Sequence, residues 1–176
     1  MAEEVKDSEE RGAASAIEAR AGKYLTFQIA DEEYGLEILK VQEIIQMLDV
    51  THIPQVPAFV RGVINLRGKI IPIVNLRMKF GMKAIDDTDR TSIIVVGLEF
   101  SQRELIMGII VDEVSEVLDI EEEQIEPPPC FGSKVDTSFI LGMGKVGKRV
   151  LTMLDIDRVL SEREMDSVAG VMKEAA

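Results

Sequence analysis

The feature that most limits what this chain can fold into is that its second half repeats the order of its first. Displaced by 73 residues, Leu25 falls on Leu98, Phe27 on Phe100, Gly35 on Gly108, Ile38 on Val111, Val41 on Val114, Glu43 on Glu116 and Ile44 on Val117. Displaced by 80, Phe59 falls on Phe139, Gly62 on Gly142, Ile70-Ile71 on Val150-Leu151, Ile73-Val74 on Met153-Leu154 and Asn75-Leu76 on Asp155-Ile156. The extra residues are absorbed in the acidic, proline-rich stretch from Glu121 to Val135. Short β patterns also resemble one another by chance, but read as a duplication this order gives two similar β units of ~70 residues. Units that small have thin cores, so they pack against each other and behave as one cooperative body.

Composition narrows the function. The chain has 176 residues and a formal net charge of −12, which disfavours sequence-independent phosphate binding and attraction to an anionic membrane surface. A hydrophobic content of 46% excludes a disordered chain. One cysteine excludes an intramolecular disulfide and one histidine excludes the usual zinc clusters. No apolar run approaches the ~20 residues of a membrane span, and no signal peptide is visible, which points to the cytoplasm.

Along the chain, residues 1–22 are polar and acidic and read as a mobile tail. Leu25, Phe27 and Ile29 alternate with Tyr24, Thr26 and Gln28, the pattern of a half-buried strand. After a turn at Asp31-Glu32-Glu33, Tyr34 to Ile38 reads as its returning partner. Val41, Ile44, Ile45 and Leu48 then fall at i, i+3, i+4 and i+7, predicting a short helix, and Val114 to Leu118 predicts its counterpart. Pro57 to Val60 reads as a helical turn with proline at its start. Gly62–Leu66 and Ile70–Val74 read as strands joined by an Arg67-Gly68-Lys69 turn, with Pro72 marking an edge or a bulge. Leu76 to Phe80 predicts a helical turn stopped by Gly81, and Asp86 to Arg90 a polar boundary. Ser161-Glu162-Arg163-Glu164 is a capping box that opens a final helix over 161–176. The organisation is thus a tail, a double β unit over 23–160 with pseudo-repeats at about 23–85 and 91–160, and a C-terminal helix.

No catalytic constellation emerges. His52 has no nucleophile near it in sequence, and Cys130 follows Pro127-Pro128-Pro129 in a loop. Gly142-Met143-Gly144-Lys145-Val146-Gly147 spells a dinucleotide-loop pattern, but a strand follows it rather than a helix, so the anion-binding helix end is missing. The carboxylate runs lack the spacing of a calcium loop and read as solvated faces. These readings leave binding without catalysis, cofactor or metal. Two features hint at partner surfaces: the surplus apolar residues around Val41 and Val114, which equally suit a shared core, and the lone Arg67 of the Asn65-Leu66-Arg67-Gly68 turn, which equally suits a solvated turn.

The run from Pro57 through Asn65-Leu66-Arg67-Gly68-Lys69 to Arg77, with Tyr24-Leu25-Thr26-Phe27, Tyr34-Gly35-Leu36-Glu37-Ile38, Val41-Gln42-Glu43-Ile44 and Gly108 to Val114, resembles the CheW family of bacterial chemotaxis coupling proteins over about residues 22–165. The resemblance implies a mainly β fold of two five-stranded SH3-like barrels packed together. It implies no enzymatic activity and no cofactor. It implies an adaptor in the cytoplasm, recruited to membrane receptor arrays, that couples the helical tips of methyl-accepting chemotaxis receptors to the regulatory domain of the histidine kinase CheA. Contacts between copies of the coupler, and coupling in a divergent chemosensory pathway, stay open. Carried over residue by residue, the receptor groove takes Leu25, Ile38, Val41, Ile44 and Val114, and the coupling interface Glu43, Asn65, Arg67 and Gly68.

Overall fold

Valine and isoleucine dominate the chain between its turn residues, and β-branched side chains stiff at χ1 favour the pleated surface of a sheet. The computed structural model describes residues 21–128 and 138–175, so Cys130 and nearly all of the expected tail lie outside the described residues. The strands are β1 (Gly22–Ile29), β2 (Glu32–Glu37), β3 (Val41–Gln46), β4 (Val60–Leu66), β5 (Lys69–Asn75), β6 (Ser92–Phe100), β7 (Arg103–Val111), β8 (Glu113–Ile120), the two-residue β9 (Ile125–Glu126), β10 (Ile140–Val146) and β11 (Arg149–Leu154). Two helices, α1 (Leu76–Lys79) and α2 (Glu162–Ala175), follow the β5 and β11 hairpins. The capping box of α2 forms as its sequence dictates: Glu164 N donates to Ser161 Oγ at 3.2 Å and Ser161 N to Glu164 Oε1 at 3.0 Å.

The strands make two sheets, in the orders β8-β1-β2-β11-β10-β9 and β3-β6-β7-β5-β4. If β6, β7, β8, β10 and β11 are the counterparts of β1, β2, β3, β4 and β5, both sheets have one order, and each is assembled from both halves of the chain. The first curls into a barrel when β9 reaches β10, pairing Glu126 with Met143. The second does so through the single bridge between Thr51 and Val63. The result is two SH3-like β barrels of five principal strands each.

The ladders hold the repeat in register. Gly35 pairs with Met153 between parallel β2 and β11, and Gly108 pairs with Ile73 between parallel β5 and β7, so displacements of 73 and 80 carry one pair onto the other. A bulge interrupts both later hairpins at the same place, between Val60 and Gly62 and between Ile140 and Gly142. Asn75 N donates to Phe59 O, and Asp155 N to Phe139 O, both at 2.7 Å. The first hairpin departs from the displacement of 73. Gly35 faces Thr26 but Gly108 faces Val95, because the β6–β7 hairpin is longer on each arm. The structural equivalents of Leu25 and Phe27 are therefore Ile94 and Val96, not Leu98 and Phe100.

The two expected short helices are strands. Val41–Gln46 forms β3 and Val114–Leu118 lies within β8. The register of β3 slips between Val41 and Glu43, and that of β8 between Val114 and Val117 opposite Leu25 and Phe27. A bulge adds one residue to the alternation, so positions three apart share a face and imitate helical spacing. Pro57 to Val60 is likewise not helical but a turn, closed by Val60 N donating to Pro57 O at 2.9 Å. Pro72 does not lie on an edge strand: β5 is flanked by β4 and β7, but pairing with β7 begins only after the proline, at Ile73.

Three apolar clusters explain the burial. Ile64, Ile71, Ile73, Ile93, Val95 and Ile110 fill one barrel, and Tyr24, Ile120, Ile125, Leu151 and Met153 fill the other. Between the barrels, Leu25, Phe27, Leu36, Ile94, Val96 and Ile109 join Met165 and Val168 of α2. β1 and β6 therefore bury both faces, and Tyr24 and Thr26, expected on a solvated face, are inside. The Thr26 hydroxyl accepts from Glu116 N at 3.1 Å and donates to Glu116 O at 3.0 Å, satisfying the backbone that the β8 bulge leaves unpaired.

Candidate functional site

The apolar residues that point past the shared core lie on the edge strands β3 and β8. Val41 stands opposite Val96 and Ile44 opposite Ile94, so both project toward the boundary between the sheets. Val41 and Ile38 are half-buried against the shared core, while Ile44 is 45% exposed. On β8, Val114 is opposite Phe27 and half-buried, and Val117 is opposite Leu25 and 49% exposed. Leu39, on the 3-10 turn Ile38–Lys40 between β2 and β3, is 92% exposed. Leu25 does not belong with these residues. It is 2% exposed inside the shared core and offers no surface to a partner. Val117, paired with Leu25 across β1 and β8, is the exposed member of that pair, and the displacement that lays Ile44 on Val117 is the sequence signal for it.

The four residues expected at the coupling interface meet at one turn. Arg67 and Gly68 both have positive φ, 53° and 86°, the backbone of the tight hairpin turn that matches strand twist. Asn65 Oδ1 accepts from Gly68 N at 2.9 Å and fixes that turn. The turn aims the Arg67 guanidinium at Glu43, which it grips with two parallel bonds of 3.0 and 3.1 Å. The fork ties β3 to the β4–β5 turn, across the opening between the two edges of this sheet. Glu43 is mostly covered, with 25% of its side chain exposed, whereas Arg67 is 78% exposed and free to meet another surface.

The other barrel repeats the device with different residues. Glu116, the counterpart of Glu43, accepts from Arg149 at 2.9 Å, and Arg149 also makes a fork on Glu33 at 2.6 and 3.0 Å. The Arg149 hydrogen bonds hold the Glu33 carboxyl below its ordinary value, and donating to Glu33 and then to Glu116 raises Arg149. Lys40 bonds Asp157 at 2.8 Å and is raised by it. Nearby, burial raises Glu37 and Asp155, with the charge of Asp155 adding to the first and that of Asp157 to the second. These arrangements clamp elements together; none presents a nucleophile beside a base.

An open cleft of about 1150 Å³ lies beside α2, lined in part by Tyr34, Phe80, Phe100 and Phe139. Phe27, Tyr34, Phe80 and Phe139 form a stacked ladder with centroids 5.5–5.8 Å apart. His52 borders a smaller hollow with Arg61 and Asp87, which pair with each other. Among the described residues no group of three or more His, Cys, Asp or Glu is placed to hold a metal ion, and no helix is long and apolar enough to cross a membrane.

A CheW-like domain model matches residues 23–164. The chemotaxis protein CheW of Klebsiella aerogenes is 44% identical over 151 residues, 86% of this chain and 89% of that protein. That of Treponema pallidum is 31% identical over 160 residues, 89% of this chain and 92% of its own length. The crystal structure of the scaffolding protein TtCheW from Thermoanaerobacter tengcongensis matches with a TM-score of 0.72 and 35% identity, covering 82% of this chain and 97% of that one.

Proposed function

The chain belongs to the CheW family, the non-catalytic scaffolds of chemotaxis, and from that premise we propose that it couples the cytoplasmic tips of chemotaxis receptors to the regulatory domain of the kinase CheA. Ile38, Val41, Ile44 and Val114, joined by Val117, form the apolar surface for the helical receptor tip. A helix laid on such a surface anchors through residues at its own helical spacing. Arg67 contacts the kinase side, with Glu43, Asn65 and Gly68 holding it in position. The protein thereby works at the membrane receptor arrays, from the cytoplasm, without entering the bilayer.

The observation that carries this reading is the fork between Glu43 and Arg67. It fixes the edge strand that bears Val41 and Ile44 to a turn whose arginine remains 78% exposed. One clamp thus connects the apolar surface to a charged one. An exposed ion pair adds little to stability, on the order of 0.5 kcal/mol. The same groups desolvated at an interface lose about 2–5 kcal/mol when truncated, which is 30-fold or more in affinity. The test is calorimetric binding of Arg67→Ala and Glu43→Ala to a receptor-tip fragment and to the kinase regulatory domain, separately. Folded variants with a loss of that size for at least one partner are expected. Unchanged affinity of both variants for both partners would refute the assignment.

A further inference from the structure

The strand orders have a consequence for association. Within the first half, β1 pairs with β2 and β4 with β5, but among the described residues no ladder joins β3 to either hairpin or one hairpin to the other. Apart from the two-residue β9–β10 ladder, the ladders that join the hairpins and edge strands into sheets cross between halves: β1 with β8, β2 with β11, β3 with β6 and β5 with β7. Lys79 of α1 also holds Glu164 of α2 at 2.9 Å. The described covalent link between the halves runs from Phe80 to Thr91, and Lys83–Arg90 are exposed throughout. Met82 packs against the shared core and its N–H donates to Arg77 O; beyond it the link is tied by the Arg61–Asp87 and Arg90–Glu113 ion pairs and by the hydrogen bonds between Thr88 and Thr91.

We propose that this link is a hinge across which two copies of the chain exchange halves. In the resulting dimer, residues 21–80 of one copy complete both barrels with residues 91–175 of the other. Every cross-half ladder re-forms with the same residues, so exchange sacrifices none of the pairing that holds a body together. The occupant is a second copy of this chain because only it supplies strands of the required order and register. The dimer carries two complete bodies, and therefore two copies of each partner surface, on one joint. Shortening a hinge favours exchange, because the link no longer spans its own body while the partner's half remains within reach.

The test removes Lys83–Asp86 from the full chain, which takes away roughly 14 Å of reach. It reports on the exchange through Lys23→Cys and Asp119→Cys, in a Cys130→Ser background. Lys23 and Asp119 are an exposed pair facing each other between β1 and β8, one from each half. After oxidation, the shortened chain is expected to elute as a dimer and run as a covalent dimer without reductant. The full-length chain, folded at low concentration where self-closure outcompetes exchange, is expected to be monomeric and closed within itself. A folded shortened chain that stays monomeric, or a dimer whose cysteines close within one chain, overturns the proposal. If the shortened chain does not fold, the full-length chain refolded from urea at about 1 mM decides, since exchange competes with self-closure at high concentration. A covalent dimer upholds the proposal and its absence overturns it.

Discussion

Leu25 and Ile44 are both apolar strand residues at the boundary between the sheets, yet they do different work. Leu25 is 2% exposed and Ile44 is 45% exposed. Leu25→Ala should cost about 2–5 kcal/mol in urea denaturation, the loss for an emptied core position. Ile44→Asp should change stability by no more than about 0.5 kcal/mol while it removes receptor-tip binding. A severe loss of stability would instead place Ile44 in the core. Asp155 gives a second test at this scale. Burial, then the charge of Asp157, raise its carboxyl, so the fold prefers the protonated form. Its favourable contribution is therefore present at acid pH, below the unfolded carboxyl value, and is lost as pH rises through the folded one. Asn75 occupies the equivalent place and accepts from Met78 N without a charge, as Asp155 accepts from Asp157 N. Asp155→Asn should therefore raise the melting temperature at neutral pH, and the gain should shrink as pH falls. No gain at neutral pH would mean that Lys40 and Arg158 already offset the buried charge.

At the scale of elements, closure of the second sheet depends on Gly62. Its φ is +149°, and a Cβ there would lie 2.0 Å from Thr51 O, in the bridge that joins the chain after β3 to β4. Gly62→Ala should cost about 3 kcal/mol, the upper end for forcing atoms into a packed site. Gly68→Asn should be nearly neutral, because a Cβ there meets nothing within 4 Å and asparagine tolerates positive φ. Equal loss in the two variants on urea titration would contradict this account of the closure. The β4–β5 hairpin was legible in sequence, because alternating apolar residues around Arg67-Gly68 state both the strands and the turn. Asn65, Arg67 and Gly68 stood out as a turn as well, whereas Glu43 read as part of a helix and nothing in the sequence paired it with Arg67. β3 was not, since its bulge gives Val41 and Ile44 the three-residue spacing of a helix. Nor was Leu25, because core and groove residues share one chemistry. The exchange of strands between halves was hidden for a further reason: periodicity reports which face of a strand is buried, not which strand lies beside it.

For the whole molecule, barrels assembled from both halves imply that neither half melts alone. Leu36→Ala and Ile109→Ala, placed in different sheets but both in the shared core, should lower the midpoint of one unfolding transition, with circular dichroism and tyrosine fluorescence coincident. Two separated transitions would show independent units. Under the proposed function, the apolar edge-strand surface takes one partner and the exposed arginine the other, so that occupying one leaves the other open. The most direct test of that claim is sedimentation velocity on the wild-type chain mixed with a receptor-tip fragment and the kinase regulatory domain. A single complex containing all three, larger than either pairwise complex, is expected. Displacement of one partner by the other, or binding to neither, would contradict it.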